Sequence, residues 1–205
     1  MGVISNGTTL LDAGALDSGI ATGAMTLIKT LTASGSATLS FLNGASNVVF
    51  DDTYDSYVFK FYNIHPVTNT ARLTFQADTG TNTNYNIAVT STFFTSQHRE
   101  DGNSGALGYE ASHDQADGTA FQDITNGIGN LNDENMNGEL KIFSPSSGTF
   151  VKHFISTVQS NYDTNWSMNS YMAGYFNTTT ALTRAQFKMS SGNIDSGIIK
   201  LYGIK

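Results

Sequence analysis

The sequence predicts an all-β protein: an antiparallel β-sandwich with jelly-roll topology, preceded by an extended N-terminal arm. Apolar and polar side chains alternate along about ten short segments of the 205-residue chain, as they do in strands with one buried face. Clusters of turn-forming residues separate these segments. The composition is that of a β-rich protein, with 26 Thr, 21 Ser, 19 Asn and 20 Gly but only 2 Pro.

In the first half of the chain, the clearest alternation runs from Ala71 to Ala77, where Leu73 and Phe75 alternate with polar residues. Bulky side chains occupy both faces of the segment 57–62, which predicts a central strand or one covered by a neighbouring element. The other strands predicted here span residues 26–32, 37–42 and 85–95, with turn residues at 43–44 and 78–80 between them.

The second half of the chain repeats this pattern. Turn residues at 145–148, 177–180 and 191–193 separate the alternating segments. The strands predicted in this half span residues 139–143, 150–158, 166–176, 184–189 and 198–204.

Residues 1–25 do not follow the strand pattern and are predicted to form an attachment arm, with the sandwich domain spanning residues 26–205. The segment is rich in glycine and has too little apolar bulk for a core of its own. We predict that it becomes ordered on a partner subunit, with an unattached terminus as the alternative. The candidate partner-binding residues are its spaced aliphatic side chains: Val3, Ile4, Leu10, Leu11, Leu16 and Ile20.

An elaborated polar loop region is predicted over residues 96–138. It carries 8 of the 17 carboxylates. Short strands are expected within it at residues 106–110 and 119–124. Because long loops in compact domains tend to be functional or disordered, this region is a candidate for ligand contact.

The charge balance and the missing cysteines exclude several classes of protein. Ten basic residues against 17 acidic ones give a net charge of −7, and the basic residues form no cluster in the sequence, so we expect no nucleic-acid partner. No apolar run is long enough to span a bilayer, so no membrane insertion is expected. With no Cys, disulfide scaffolds and thiolate metal sites are excluded.

No motif in the sequence predicts catalysis or a cofactor. His98 and His113 lack the spacing of a zinc site, and Asp51, Asp52 and Asp55 are clustered where a strand begins. The stretch 130–138 has the wrong residues at its fifth and sixth positions for an EF-hand, which leaves a loop calcium site open but not predicted. The chain is therefore expected not to be an enzyme.

Four aromatic residues in or beside polar segments are candidate glycan contacts. Aromatic rings offer a flat apolar surface for a sugar, while neighbouring Asn and Asp groups can bind its hydroxyls. The four candidates are Tyr109, Tyr162, Trp166 and Tyr171.

Two long runs resemble β-sandwich domains of tailed-phage virion proteins, in particular those of phages that infect cyanobacteria and other aquatic bacteria. The first is DDTYDSYVFKFYNIHP at residues 51–66, followed by LTFQ at 73–76 and a turn leading to Tyr85. The second is FKMSSGNIDSGIIKLYGI at residues 187–204, which resembles the closing hairpin of such proteins. The resemblance covers roughly residues 26–205 and brings no catalytic motif with it.

This resemblance implies a non-enzymatic structural role in a phage particle, as a capsid decoration or head-fibre protein or as a tail-fibre or adaptor component. The expected partners are copies of the chain itself, forming a homotrimer, and another virion protein of the capsid or tail bound by the arm. The expected location is the virion, after synthesis in the host bacterial cytoplasm. A glycan-binding module that recognises the host surface is the alternative function.

Overall fold

The computed structural model describes residues 3–5, 8–12, 15–16, 25–163 and 165–205. Its first three strands are short: β1 (Val3–Ser5), β2 (Thr8–Asp12) and β3 (Ala15–Leu16). They pair antiparallel with one another in a small sheet of order β1-β2-β3. The described strands of the predicted arm therefore pair with one another. The role of the arm in attachment stays a prediction.

The predicted partner-binding residues of the arm lie mostly in these strands. Val3 and Ile4 belong to β1, Leu10 and Leu11 to β2, and Leu16 to β3. The Ile4 side chain is exposed. Ile20 lies outside the described residues.

Twelve further strands form two antiparallel sheets. The larger sheet contains eight of them in the order β4-β15-β6-β11-β12-β13-β8-β9. Its members are β4 (Met25–Ser36), β6 (Ser56–Pro66), β8 (Val89–Arg99), β9 (Gly105–Tyr109), β11 (Met136–Phe143), β12 (Lys152–Tyr162), β13 (Trp166–Phe176) and β15 (Ile194–Ile204). The smaller sheet has the order β10-β7-β14-β5 and consists of β5 (Leu39–Leu42), β7 (Leu73–Thr79), β10 (Gln122–Asp123) and β14 (Leu182–Met189).

The core lies between one face of the large sheet and the small sheet, which confirms the predicted antiparallel sandwich. Phe187 of β14 packs against Phe59 and Phe61 of β6, with ring centroids 5.0 and 5.5 Å apart. Phe75 of β7 packs against Phe154 of β12 at 5.1 Å. Burying this apolar area is the dominant favourable term in folding.

The other face of the large sheet, here called the outer face, is not covered by the small sheet. Along β12 every second side chain is buried and the side chains between them are exposed. The exposed set includes Ile155 and Thr157. This strict period of two is what alternation predicts for a strand with one covered face. In β7 the prediction of one solvated face is wrong, because Thr74 and Gln76 are buried as fully as the apolar residues between them.

All ten strands predicted over residues 26–205 are present, and the two short strands expected in the polar region 96–138 correspond to β9 and β10. Segment 57–62 lies in β6, which is flanked by β15 and β11 and is therefore central, as predicted. The division into eight and four strands is compatible with a jelly roll, whose topology stays a prediction.

Among the described residues, no helix is long and apolar enough to cross a membrane.

Candidate functional site

His113 and Asp123 form a largely buried polar pair to which Arg72 adds a third side chain. His113 Nδ1 lies 2.7 Å from Asp123 Oδ2, and Arg72 Nε lies 2.9 Å from the same oxygen. No hydroxyl among the described residues bonds the other ring nitrogen of His113. The pair therefore lacks the nucleophile of a hydrolase triad among the described residues, and its hydrogen bond joins the polar segment around His113 to β10.

The stretch 130–138, whose sequence neither predicts nor excludes a loop calcium site, folds back on itself. Glu134 is buried, and its Oε2 accepts a hydrogen bond of 2.8 Å from the backbone N–H of Leu131. Beside it, His65, Asn132 and Asp195 line a polar pocket of about 370 Å³. In the part of the chain that the structure describes, no three carboxylate or imidazole side chains come close enough together to hold a metal ion.

The structure separates the four candidate glycan contacts into two pairs. Tyr171 is paired with Phe94, and Phe94 with Tyr109, so these three rings share the outer face. Trp166 and Tyr162 are paired with each other at the far end of β12 and β13. Trp166 is an even number of residues away from the buried residues of β13, such as Met168, and therefore lies on their face of the sheet, opposite to that of Tyr171. These four residues do not form one site.

The outer face carries instead a row of side chains that crosses seven strands. Cross-strand pairing places directly opposed residues side by side on one face of a sheet. We call this set the outer row; from β15 to β9 it contains Lys200, Lys60, Glu139, Thr157, Tyr171, Phe94 and Tyr109.

One end of the outer row is aromatic. The rings of Phe94 and Tyr171 are stacked, with centroids 4.7 Å apart and planes within 9° of parallel. Phe94 is 40% exposed and Tyr109 is 60% exposed. The Tyr109 hydroxyl donates a hydrogen bond to Asp114 Oδ2, and this bond raises the pKa of the phenol. These contacts hold an aromatic strip open to solvent.

The other end of the outer row is basic. Lys60 Nζ lies 3.4 Å from Glu139 Oε2. Lys200 Nζ lies 5.1 Å from the ring centre of Tyr62, and Lys141 Nζ lies 4.7 Å from that of Phe143. Each ring face attracts the cation that lies over it.

Three adjoining depressions make the outer face a shallow groove. The largest, of about 540 Å³, lies over β8, β12 and β13 and is lined by Ile155, Ala173 and Tyr175 among others. A second depression of about 160 Å³ extends it to Phe94 and Tyr171. A third, of about 430 Å³, lies between Lys60 and Thr157. The groove therefore runs beside both ends of the outer row.

Sequence reasoning missed Phe94, Ile155 and the lysines of this face. Most phenylalanines were assigned to the core, and nine of the 13 are indeed buried. Phe94 directly follows Phe93, and neighbouring residues in a strand point to opposite faces, so one of the two had to leave the core. The Phe-Phe pair was the signal that could have found it.

Comparison of the chain with models of known protein families, with curated proteins and with solved structures finds no match.

Proposed function

We propose that this chain is a non-enzymatic structural protein of a phage particle that associates with copies of itself through the edge strand β4. The resemblance of residues 51–66 and 187–204 to phage sandwich domains supports the virion role. The observation that carries self-association is the length and character of the β4 edge.

Strand β4 is twelve residues long, and among the described residues it pairs with β15 on one side only. The other edge strands of the two sheets are much shorter: β9 has five residues, β5 four and β10 two. A long edge with unpaired backbone N–H and C=O groups is a template for adding a strand from another molecule.

The side chains of β4 do little to block such pairing. Lys29 is its only charged residue, and the strand contains no proline. Leu27 is 51% exposed. A bulge at Ile28 interrupts the pairing with β15, and the segment from Lys29 to Ser34 pairs in regular register before Gly35, whose φ is 59°. The regular, weakly charged part of this edge, from Lys29 to Ser34, can therefore accept a strand of a second copy.

Self-association through β4 predicts the molecular mass of the protein in solution. Light scattering of the full chain should give a mass of more than one copy, and three copies is the number that the phage resemblance implies. Thr32→Lys places a charge in the middle of the exposed edge and should reduce the mass to that of one copy, because lysine on an edge strand opposes pairing. Thr149→Lys makes the same change in an exposed loop and should leave the mass unchanged.

Two results would contradict self-association through β4. One is a monomeric wild-type chain at the concentrations tested, and the other is a Thr32→Lys variant that keeps the wild-type mass. A dimer in place of the trimer would correct the copy number and leave the edge as the contact.

The virion role makes a separate prediction. Mass spectrometry of purified particles of the phage that encodes the chain should detect it in fixed proportion to the major capsid or tail proteins. Its presence in lysates together with its absence from gradient-purified particles would reject the virion role.

The alternative function is a glycan-binding module for host recognition, and the aromatic end of the outer row favours it. This function can coexist with self-association, since the aromatic end of the outer row lies on β13, β8 and β9, at the opposite side of the sheet from β4.

A further inference from the structure

We propose that the outer face binds an acidic polysaccharide, which lies across the strands along the outer row with its sugar rings on Tyr109, Phe94 and Tyr171 and its acidic groups near Lys60, Lys141 and Lys200. The inference deepens the glycan-binding alternative and does not depend on self-association through β4.

The aromatic end supplies the surface for sugar rings. Its three rings come from neighbouring strands, β9, β8 and β13, and lie side by side in the outer row. The C–H face of a pyranose is apolar and weakly positive, so it packs on the negative face of an aromatic ring. The stacking of Phe94 on Tyr171 covers the ring faces that meet, so a sugar packs on the faces that remain open, and it fixes both rings before a ligand arrives, which reduces the entropy cost of binding.

Uncharged polar groups flank the rings on the same face. The adjacent cross-strand row contains Ser96, Asn169 and Gln159. Amides and hydroxyls both donate and accept hydrogen bonds, as sugar hydroxyls require. Gln159 already donates a hydrogen bond to Ser167, but an apolar partner would cover Ser96 and Asn169 without offering them hydrogen bonds, so these groups favour a sugar over an apolar peptide.

The basic end selects for acidic sugars. Three of the ten basic residues of a chain with net charge −7 lie on this part of one face: Lys60, Lys141 and Lys200. Glu139 offsets one of these charges through its ion pair with Lys60. The local charge is therefore positive on an acidic protein, and it attracts carboxylate or sulfate groups.

The dimensions of the face fit a linear chain of several sugars. Five strand-to-strand steps separate Lys60 from Tyr109, which corresponds to about 24 Å at the usual strand spacing. The groove beside the outer row is open along this direction. Three lysines are too few to follow a nucleic-acid backbone, whose binding depends on many phosphate contacts.

The first experiment is a glycan array in which uronate-, sialic-acid- and sulfate-bearing oligosaccharides are each paired with a neutral counterpart. We expect the full chain to bind at least one acidic class about tenfold more tightly than its neutral counterpart. Binding to neutral glycans alone, or to none, would overturn the proposal.

Three variants then locate the site with the best-bound acidic oligosaccharide as ligand. Phe94→Thr removes an exposed ring but keeps strand propensity, and should weaken binding about tenfold. Lys200→Gln should weaken it about threefold. Glu139→Gln removes the negative charge in the row and should tighten binding a few-fold. A misfolded variant would bind more weakly, so tighter binding cannot result from loss of folding.

The matched control is Lys188→Gln. Lys188 also lies over an aromatic ring, 4.1 Å from the ring centre of Phe121, but it belongs to the small sheet. This variant should bind like the wild type. If Lys188→Gln weakens binding as much as Lys200→Gln, or if Phe94→Thr leaves binding unchanged, the outer row is not the site.

The outcome for the glycan can be separated from that for self-association. Thr32 lies on the same face as Lys200, so Thr32→Lys adds a positive charge there and should bind the acidic oligosaccharide at least as tightly as the wild type, whatever its mass. If Phe94→Thr changes the mass in solution and the chain binds no acidic glycan, a second copy of the chain occupies the outer face instead, and the proposal is wrong.

Discussion

Replacing Phe187 by alanine should lower the free energy of unfolding by about 3–5 kcal/mol, the usual cost of removing a buried aromatic ring. Phe187 is fully buried in β14 of the small sheet. Its ring packs against Phe41 and Phe75 of its own sheet and against Phe59 and Phe61 of the large sheet. It is one of the rings that join the two sheets, so its loss leaves a cavity that neither sheet can fill alone.

The measurement is denaturant unfolding of wild type and variant at the same protein concentration. Phe150→Ala is the matched control, because this phenylalanine is 72% exposed and its removal should change the free energy of unfolding by less than about 0.5 kcal/mol. Equal effects of the two substitutions would show that the sheets do not pack through Phe187.

Replacing Lys152 by methionine should cost about 1–3 kcal/mol at neutral pH, the price of leaving buried polar groups without hydrogen bonds. The Lys152 side chain is 0% exposed. Its Nζ donates hydrogen bonds to the carbonyl oxygens of Ser147, Phe150 and Thr178 at 2.5, 3.0 and 3.3 Å. One cation thus ties the turn before β12 to the turn after β13, and methionine of similar length leaves the three carbonyls unpaired.

The same lysine should make stability depend on pH in the alkaline range. Burial lowers the pKa of Lys152 below its ordinary value of 10.5. Between the lowered pKa and 10.5 the unfolded chain binds more protons than the folded one, so this group makes the free energy of unfolding rise with pH. Below the lowered pKa its unfavourable contribution is constant.

The pH effect is isolated by comparing wild type with Lys152→Met, since the other titrating groups are common to both. The difference between their free energies of unfolding should shift in favour of the wild type as pH rises through this window. Lys205→Met, at the exposed chain end, should show no such shift. A flat difference for Lys152→Met would show that its pKa is not lowered by burial.

The strands were predictable from sequence because their signal is local. In β7, Leu73, Phe75 and Ala77 alternate within a few residues, and turn residues follow directly at 78–80. The short strands β1 to β3 were not predicted, because the glycine-rich segment 1–25 has little bulk at alternating positions.

The candidate site was predicted only in part. Tyr109 and Tyr171 were identified as exposed aromatics beside polar residues, and both lie on the outer face. Trp166 and Tyr162 fit the same description in sequence but lie at the far end of the sheet, with Trp166 on its opposite face. A shift of one residue along a strand moves a side chain to the other face of the sheet, and composition carries no information about such a shift.

The sequence by itself determined that this chain is all-β, where its main strands lie and that it contains no cysteine chemistry, because composition and a period of two are properties of neighbouring residues. Only the tertiary structure decided which strands are neighbours, which face of the large sheet stays open and which edge is long. Register between distant strands brings Lys60 beside Glu139 and Phe94 beside Tyr171, and it depends on how two whole sheets pack over a shared core.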